Sequence, residues 1–141
     1  KLKINIEPDD NYFSLEEKIL DKSPVFLVQS MKKYLTGEIN PKKQDDSAAS
    51  YTKMIDKKDG LINWNKSDQE IHNQIRAYSA WPKAYSMLAD GKRLIFLKSS
   101  LASGKIKPIL VQLEGKKPTE WNNFINGYKK LLPKELTNRL L

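Results

Sequence analysis

The chain has 141 residues, 39% of them hydrophobic, enough for one domain or for a small domain plus a piece of another. No apolar run approaches the roughly 18 residues that span a bilayer, no signal-peptide pattern is present, and the lack of cysteine excludes disulfides and thiolate metal sites. The formal net charge of +8 is segregated: residues 1–50 hold 8 Lys and 9 acidic residues, whereas residues 51–141 hold 17 basic and 8 acidic ones, an asymmetry that points to a polyanion partner rather than to general solubility.

Leu2, Ile4 and Ile6 alternate with polar residues and predict a strand, closed by the loop Pro8 to Asn11. Ser14 and Glu17 have capping-box spacing and predict a helix to about Leu20. Ser23-Pro24 predicts the start of a second helix, with Val25, Val28, Met31 and Leu35 on one stripe and Gly37 at its end. This hairpin has more apolar surface than it can bury alone, so residues 1–37 read as the end of a larger α/β domain. With Lys1 first and no initiator Met, the whole chain reads as a fragment of a longer one. Residues 38–50 are polar, lack apolar periodicity and read as a linker.

The best-defined stretch runs from Asp59 to Tyr85. Asp59-Gly60 reads as a turn, with glycine supplying positive φ. Ser67 followed by Glu70 is a capping box that opens a helix with Ile71, Ile75 and Tyr78 on one face. That helix must stop before Pro82, because the residue preceding proline is pushed out of the α region. Trp64 and Trp81 bracket it and are expected to pack beneath it. Downstream, Tyr85 to Ala89 and Arg93 to Leu97 flank Asp90-Gly91 as a hairpin. A second hairpin turns near Ser103-Gly104 and returns through Ile109 to Leu113, with Pro108 at an edge or strand start. Pro118 opens a helix that puts Trp121, Phe124, Ile125 and Tyr128 on one face, and Pro133 breaks a basic tail. The fold class is therefore α+β: a small antiparallel sheet with packed helices, preceded by a strand and two helices.

Chemistry-bearing motifs are sparse. The single histidine, His72, flanks the apolar stripe and reads as solvent-facing or capped. No second histidine or carboxylate pair sits at metal-ligand spacing, no Gly-rich phosphate loop is present, and no motif supplies a Ser-His-Asp set. We assign no catalytic residue and no metal ligand. What remains is electrostatic. Lys92, Arg93, Lys98, Lys105, Lys107, Lys116 and Lys117 lie on or beside the two hairpins, and Arg76 flanks the central helix. On a sheet face or loop tip such residues track phosphates, with salt-sensitive and largely sequence-independent affinity. The alternative for any one lysine is a solvated charge, and for Arg76 a structural cap or ion pair near the helix end. The three tryptophans could stack on bases, although their periodic positions favour a core role.

Ser50-Tyr51, Lys57-Lys58-Asp59-Gly60, Ile62-Asn63-Trp64, Ile75-Arg76-Ala77-Tyr78 and Trp81-Pro82-Lys83-Ala84-Tyr85 form one ordered block. A second runs from Gln112 to Pro118, followed by Trp121, Phe124, Gly127 and Tyr128. Together they resemble the C-terminal domain of methionyl-tRNA formyltransferases. The resemblance implies three segments: residues 1–37 as the tail of a catalytic domain, 38–50 as the linker, and 51–141 as a tRNA-binding domain of OB-like form. Only about a dozen residues join Leu97 to Val111, so the barrel is expected to be abbreviated or to remain an open sheet. Lys83, Ala80 and Asn63 stand where the family has glycine, proline and aspartate.

The resemblance further implies a cytoplasmic parent enzyme that transfers a formyl group from 10-formyltetrahydrofolate to the amino group of initiator methionyl-tRNA. The family's His-Gly-Ser-Leu-Leu-Pro-like catalytic loop does not occur in this chain. This part is therefore expected to bind no cofactor, to perform no catalysis itself, to bind tRNA as a monomer and to bind no membrane. An amino-sugar-nucleotide formyltransferase and a purely structural support module are the alternatives.

Overall fold

The computed structural model describes residues 1–140. Four helices and one four-stranded sheet follow in the order α1 (Tyr12–Leu35), α2 (Asp68–Ala77), β1 (Ala84–Met87), β2 (Arg93–Ala102), β3 (Lys105–Leu113), β4 (Thr119–Glu120), α3 (Trp121–Tyr128) and α4 (Lys134–Leu140). The sheet is antiparallel throughout in the order β1-β2-β3-β4, and it stays open. Of the two expected forms, abbreviated barrel and open sheet, the second is the one that forms.

The helix and turn chemistry explains most of the boundaries. Ser67 caps α2, its hydroxyl accepting from the Glu70 amide while the Glu70 carboxylate accepts from the Ser67 amide at 3.0 Å. The β2–β3 hairpin turns on Ser103 and Gly104, both at positive φ (51° and 75°), as the right-handed twist of a two-residue hairpin requires. Both strands shift register near Lys98, and Pro108 sits beside that irregularity, beyond the two residues of β3 that pair with β4.

One face of the sheet carries the core. Leu94, Phe96, Ile106, Val111 and Leu113 are buried against Ile71 and Ile75 of α2, Trp121 and Phe124 of α3, and Leu132 and Leu136 at the C-terminal end. Aromatic rings run through it in contact: Trp64 with Phe96 at 5.5 Å, Phe96 with Trp121 at 6.3 Å, Trp121 with Phe124 at 5.8 Å and Phe124 with Tyr128 at 5.1 Å. Asp68, buried at the start of α2, accepts from Arg139 Nε at 2.7 Å, and Arg139 also donates to the Trp64 carbonyl. That ion pair fastens α4 back onto α2.

Several expectations are corrected. Residues 2–6 form no strand, because a strand needs a hydrogen-bonded neighbour and none of the described strands lies beside them. The two N-terminal helices are one helix of 24 residues that runs through Pro24. Proline costs this helix the bond to the Leu20 carbonyl, yet the remaining ladder holds, and Ser23 Oγ adds a bond to the Ile19 carbonyl at 2.6 Å. The helix starts not at Ser14 but at Asn11, whose side chain caps it in a box with Ser14. Gly60 is not a positive-φ turn residue. A Cβ there would lie 2.2 Å from the Lys83 carbonyl oxygen, so glycine is required by close approach of two backbones. Trp81 does not pack beneath α2 but stands 51% exposed, whereas Trp64 is half-buried and bonds Ser86 Oγ at 3.0 Å.

Candidate nucleic-acid interface

α2, α3 and α4 pack on one side of the β2–β3 ribbon and leave its other side open. Alternation decides which side chains point there. Ser99 faces α2, so Lys98 beside it points away; Ile106 and Pro108 are buried, so Lys107 between them points away too. Both lysines are exposed. Tyr85 of β1 and Ile95 of β2 sit opposite one another on this same open side.

The eight basic residues singled out in the sequence fall into two groups. In the first group, three residues pair with carboxylates and the fourth, Arg76, is occupied by neutral acceptors. Arg93 donates to Glu114 Oε1 through Nε at 3.1 Å and Nη2 at 2.6 Å, and its guanidinium lies 5.7 Å from the Tyr85 ring centroid. That pairing holds the Glu114 carboxyl below its ordinary range and raises Arg93 further. Lys92 pairs with Asp90 at 3.2 Å and Lys105 with Asp68 at 3.8 Å. Arg76, although not in an ion pair, gives its guanidinium to the carbonyls of Glu7 and Asp10 and to Asn73. Lys98, Lys107, Lys116 and Lys117 have no ion-pair partner among the described residues. Lys116 and Lys117 are exposed on the turn after β3, where Gly115 adopts φ 77°.

The basic residues are therefore not one cluster. Lys105 and Lys107 lie at the hairpin end of β3, a strand of nine residues or about 30 Å, and Lys116 and Lys117 lie beyond its other end. Lys98 lies between the two groups, at the register shift.

Two arrangements escaped the sequence reading. His72 is not solvent-facing: it is 5% exposed, and its Nδ1 lies 2.9 Å from Ser99 Oγ on β2. Burial first, and then the Arg76 charge, push its pKa below the ordinary 6.5. At the other site, Asp10 is 7% exposed. Its carboxylate accepts from Lys18 Nζ at 2.6 Å, from the Glu7 amide at 2.7 Å and from Ser14 Oγ at 2.8 Å, and these bonds hold its pKa at about 2. No group of histidine, cysteine and carboxylate side chains among the described residues could hold a metal ion. No described helix is long and apolar enough to cross a membrane.

A family model described as formyl transferase, C-terminal domain, matches residues 54–108, from the loop before α2 to the middle of β3. That stretch is similar to the C-terminal domain of formyl transferases. Proteins named methionyl-tRNA formyltransferase are similar to the chain over most of its length. The one from Citrifermentans bemidjiense is 34% identical over 88% of this chain and 46% of its own length. That from Geobacter metallireducens is 34% identical over 90% of this chain and 48% of its own. A third, from a Sulfurihydrogenibium strain, is 40% identical over 62% of this chain and 28% of its own. The chain thus spans about half the length of the first of these relatives. The part matched to the formyl transferase C-terminal domain includes α2, β1 and β2 whole, together with Arg76, Arg93, Lys98 and Lys107.

Proposed function

We propose that this chain is the C-terminal part of a methionyl-tRNA formyltransferase and that its open sheet face and the Gly115 turn hold the phosphate backbone of initiator methionyl-tRNA. The observation that carries the reading is the set of four lysines, Lys98, Lys107, Lys116 and Lys117, exposed and without acidic partners among the described residues. A free ammonium can neutralise a phosphate and release its counterions; one already paired must first break that pair. Arg93, Lys92 and Lys105 then stand as partly neutralised flanks that fix the local field, and Arg76 has a different task.

The whole enzyme would transfer the formyl group of 10-formyltetrahydrofolate to the amino group of the methionyl ester, in the cytoplasm and as a monomer. The folate donor supplies the one-carbon group. What this chain supplies is a grip on the nucleic acid that is indifferent to base sequence. Lysine suits that task, since its ammonium acts as a point charge rather than a fork that reads base edges.

The test is an anisotropy titration of the 141-residue chain with initiator tRNA at several salt concentrations. The double variant Lys98→Glu, Lys107→Glu should weaken binding and lower the slope of log affinity against log salt by about two. Glu114→Gln, which frees Arg93, should leave binding equal or tighter. Unchanged affinity and slope in the double variant would overturn the reading and put the purely structural support role in its place.

A further inference from the structure

We propose that Arg76 and the Glu7–Asp10 turn form a joint that sets the direction in which α1 leaves the body built on α2 and the sheet, with Arg76 as the positioning residue. The inference does not depend on what the lysines bind.

The turn is held from both sides. On the α1 side the Asp10 carboxylate gathers the Glu7 amide, Ser14 Oγ and Lys18 Nζ, and the next residue, Asn11, caps the helix. The turn and the first two turns of α1 are thereby one unit. On the other side Arg76 reaches across 66 residues of sequence to donate from Nη1 to the Asp10 carbonyl, and from the same nitrogen to the Glu7 carbonyl at 3.3 Å. Its Nη2 is braced on Asn73 Oδ1 at 2.8 Å, and its Nε is buried. A planar guanidinium fixed at one nitrogen has only one way to present the other, so the fork transmits the orientation of α2 to the turn. His72 lies one helical turn before Arg76 on the same face of α2. It is buried against Ser99, with the Pro8 backbone and the Asp9 charge close to its ring.

Among the described residues of this chain, nothing comparable holds α1 farther along. None of its 24 residues is buried, and Val25, Leu27, Val28 and Met31 are each more than half exposed. Where α1 runs past α2, the space between Leu15, Ile19 and Leu20 on one side and Asn73, Arg76 and Ala77 on the other is an open cleft of about 620 Å³ rather than packed core. A helix with no buried side chain takes its direction from the bonds at its base, and here those bonds converge on Arg76.

The chain has no cysteine, so two can be introduced for spin labels, Gln29→Cys on α1 and Asn122→Cys on α3, both at exposed positions. Pulsed electron–electron double resonance should give one narrow distance distribution. Arg76→Ala should broaden it while the thermal midpoint of the sheet and α2 hardly moves. Asp10→Asn should broaden it as well, from the α1 side of the joint and without touching α2. Should Arg76→Ala fold poorly, Arg76→Gln keeps a side chain of similar reach with fewer donors, and it should broaden the distribution too. A broad distribution in the parent sequence, a narrow one in the folded Arg76 variants, or broadening by Asp10→Asn alone would overturn the assignment.

Discussion

The 24-residue α1 buries none of its side chains, while the 10-residue α2 buries four. Length predicts the reverse, because each added residue of helix contributes one more bond to a structure already nucleated. Yet α2 is the helix on which the fold is built. Ile71 and Ile75 are almost wholly buried against β2 and β3, His72 bonds Ser99 on the facing strand β2, and Asp68 anchors Arg139. α1 is held by a cap and a turn at one end. The contrast separates two sources of helical order: tertiary burial for α2, and local hydrogen bonding at its N-terminus for α1.

Side-chain truncation breaks the comparison most sharply. Ile71→Ala should cost about 2–5 kcal/mol in equilibrium denaturation, since it removes a fully buried branched side chain and leaves a cavity. Leu27→Ala, on the 58% exposed face of α1, should stay within about 0.5 kcal/mol of the parent sequence. Equal losses from both would mean that α1 is packed after all.

Capping gives a smaller effect. Ser67→Ala removes the acceptor for the Glu70 amide and one half of the box, and should lower global stability by about 1 kcal/mol. Asn11→Ala should instead speed amide exchange in the first turn of α1 and leave the global midpoint in place. Hydrogen exchange measured with the denaturation curve distinguishes the two.

Acid sharpens the same division with the smallest changes. The folded pKa of His72 lies below its ordinary 6.5, so below pH 6.5 the unfolded chain binds more protons than the folded one. The stability of the α2 body should therefore decline as pH falls from that point. Asp10 has a folded pKa of about 2 against an ordinary 3.8. Its contribution to the joint is complete above about pH 3.8 and is lost as pH falls through about 2. A titration by nuclear magnetic resonance should show the Asp10 carboxyl still ionised at pH 3. Titration of Asp10 at an ordinary value would mean that its bonds to Lys18 and Ser14 do not persist in solution.

Local signals in the sequence were enough for α2, the turns at Gly91 and Ser103-Gly104, the apolar face of α3 and the basic excess after residue 50. Each depends on residues within a few positions of one another: a serine three before a glutamate, a glycine that adopts positive φ, isoleucines one helical turn apart. Tertiary structure alone decided the rest, because the deciding partners are far apart in sequence. Arg93 reads as a free cation until the fold brings Glu114 beside it, and Arg76 as a helix-flank charge until Glu7 and Asp10 present their carbonyls. Trp64 and Trp81 are the same residue type at either end of one helix, yet one joins the aromatic core and the other faces water. Hydrophobicity states only that burial is favourable; which indole finds a cavity depends on where the sheet and α3 lie. For the same reason no run of residues marks His72 as buried: its partner, Ser99, reaches it only once β2 has paired and α2 has docked on the sheet.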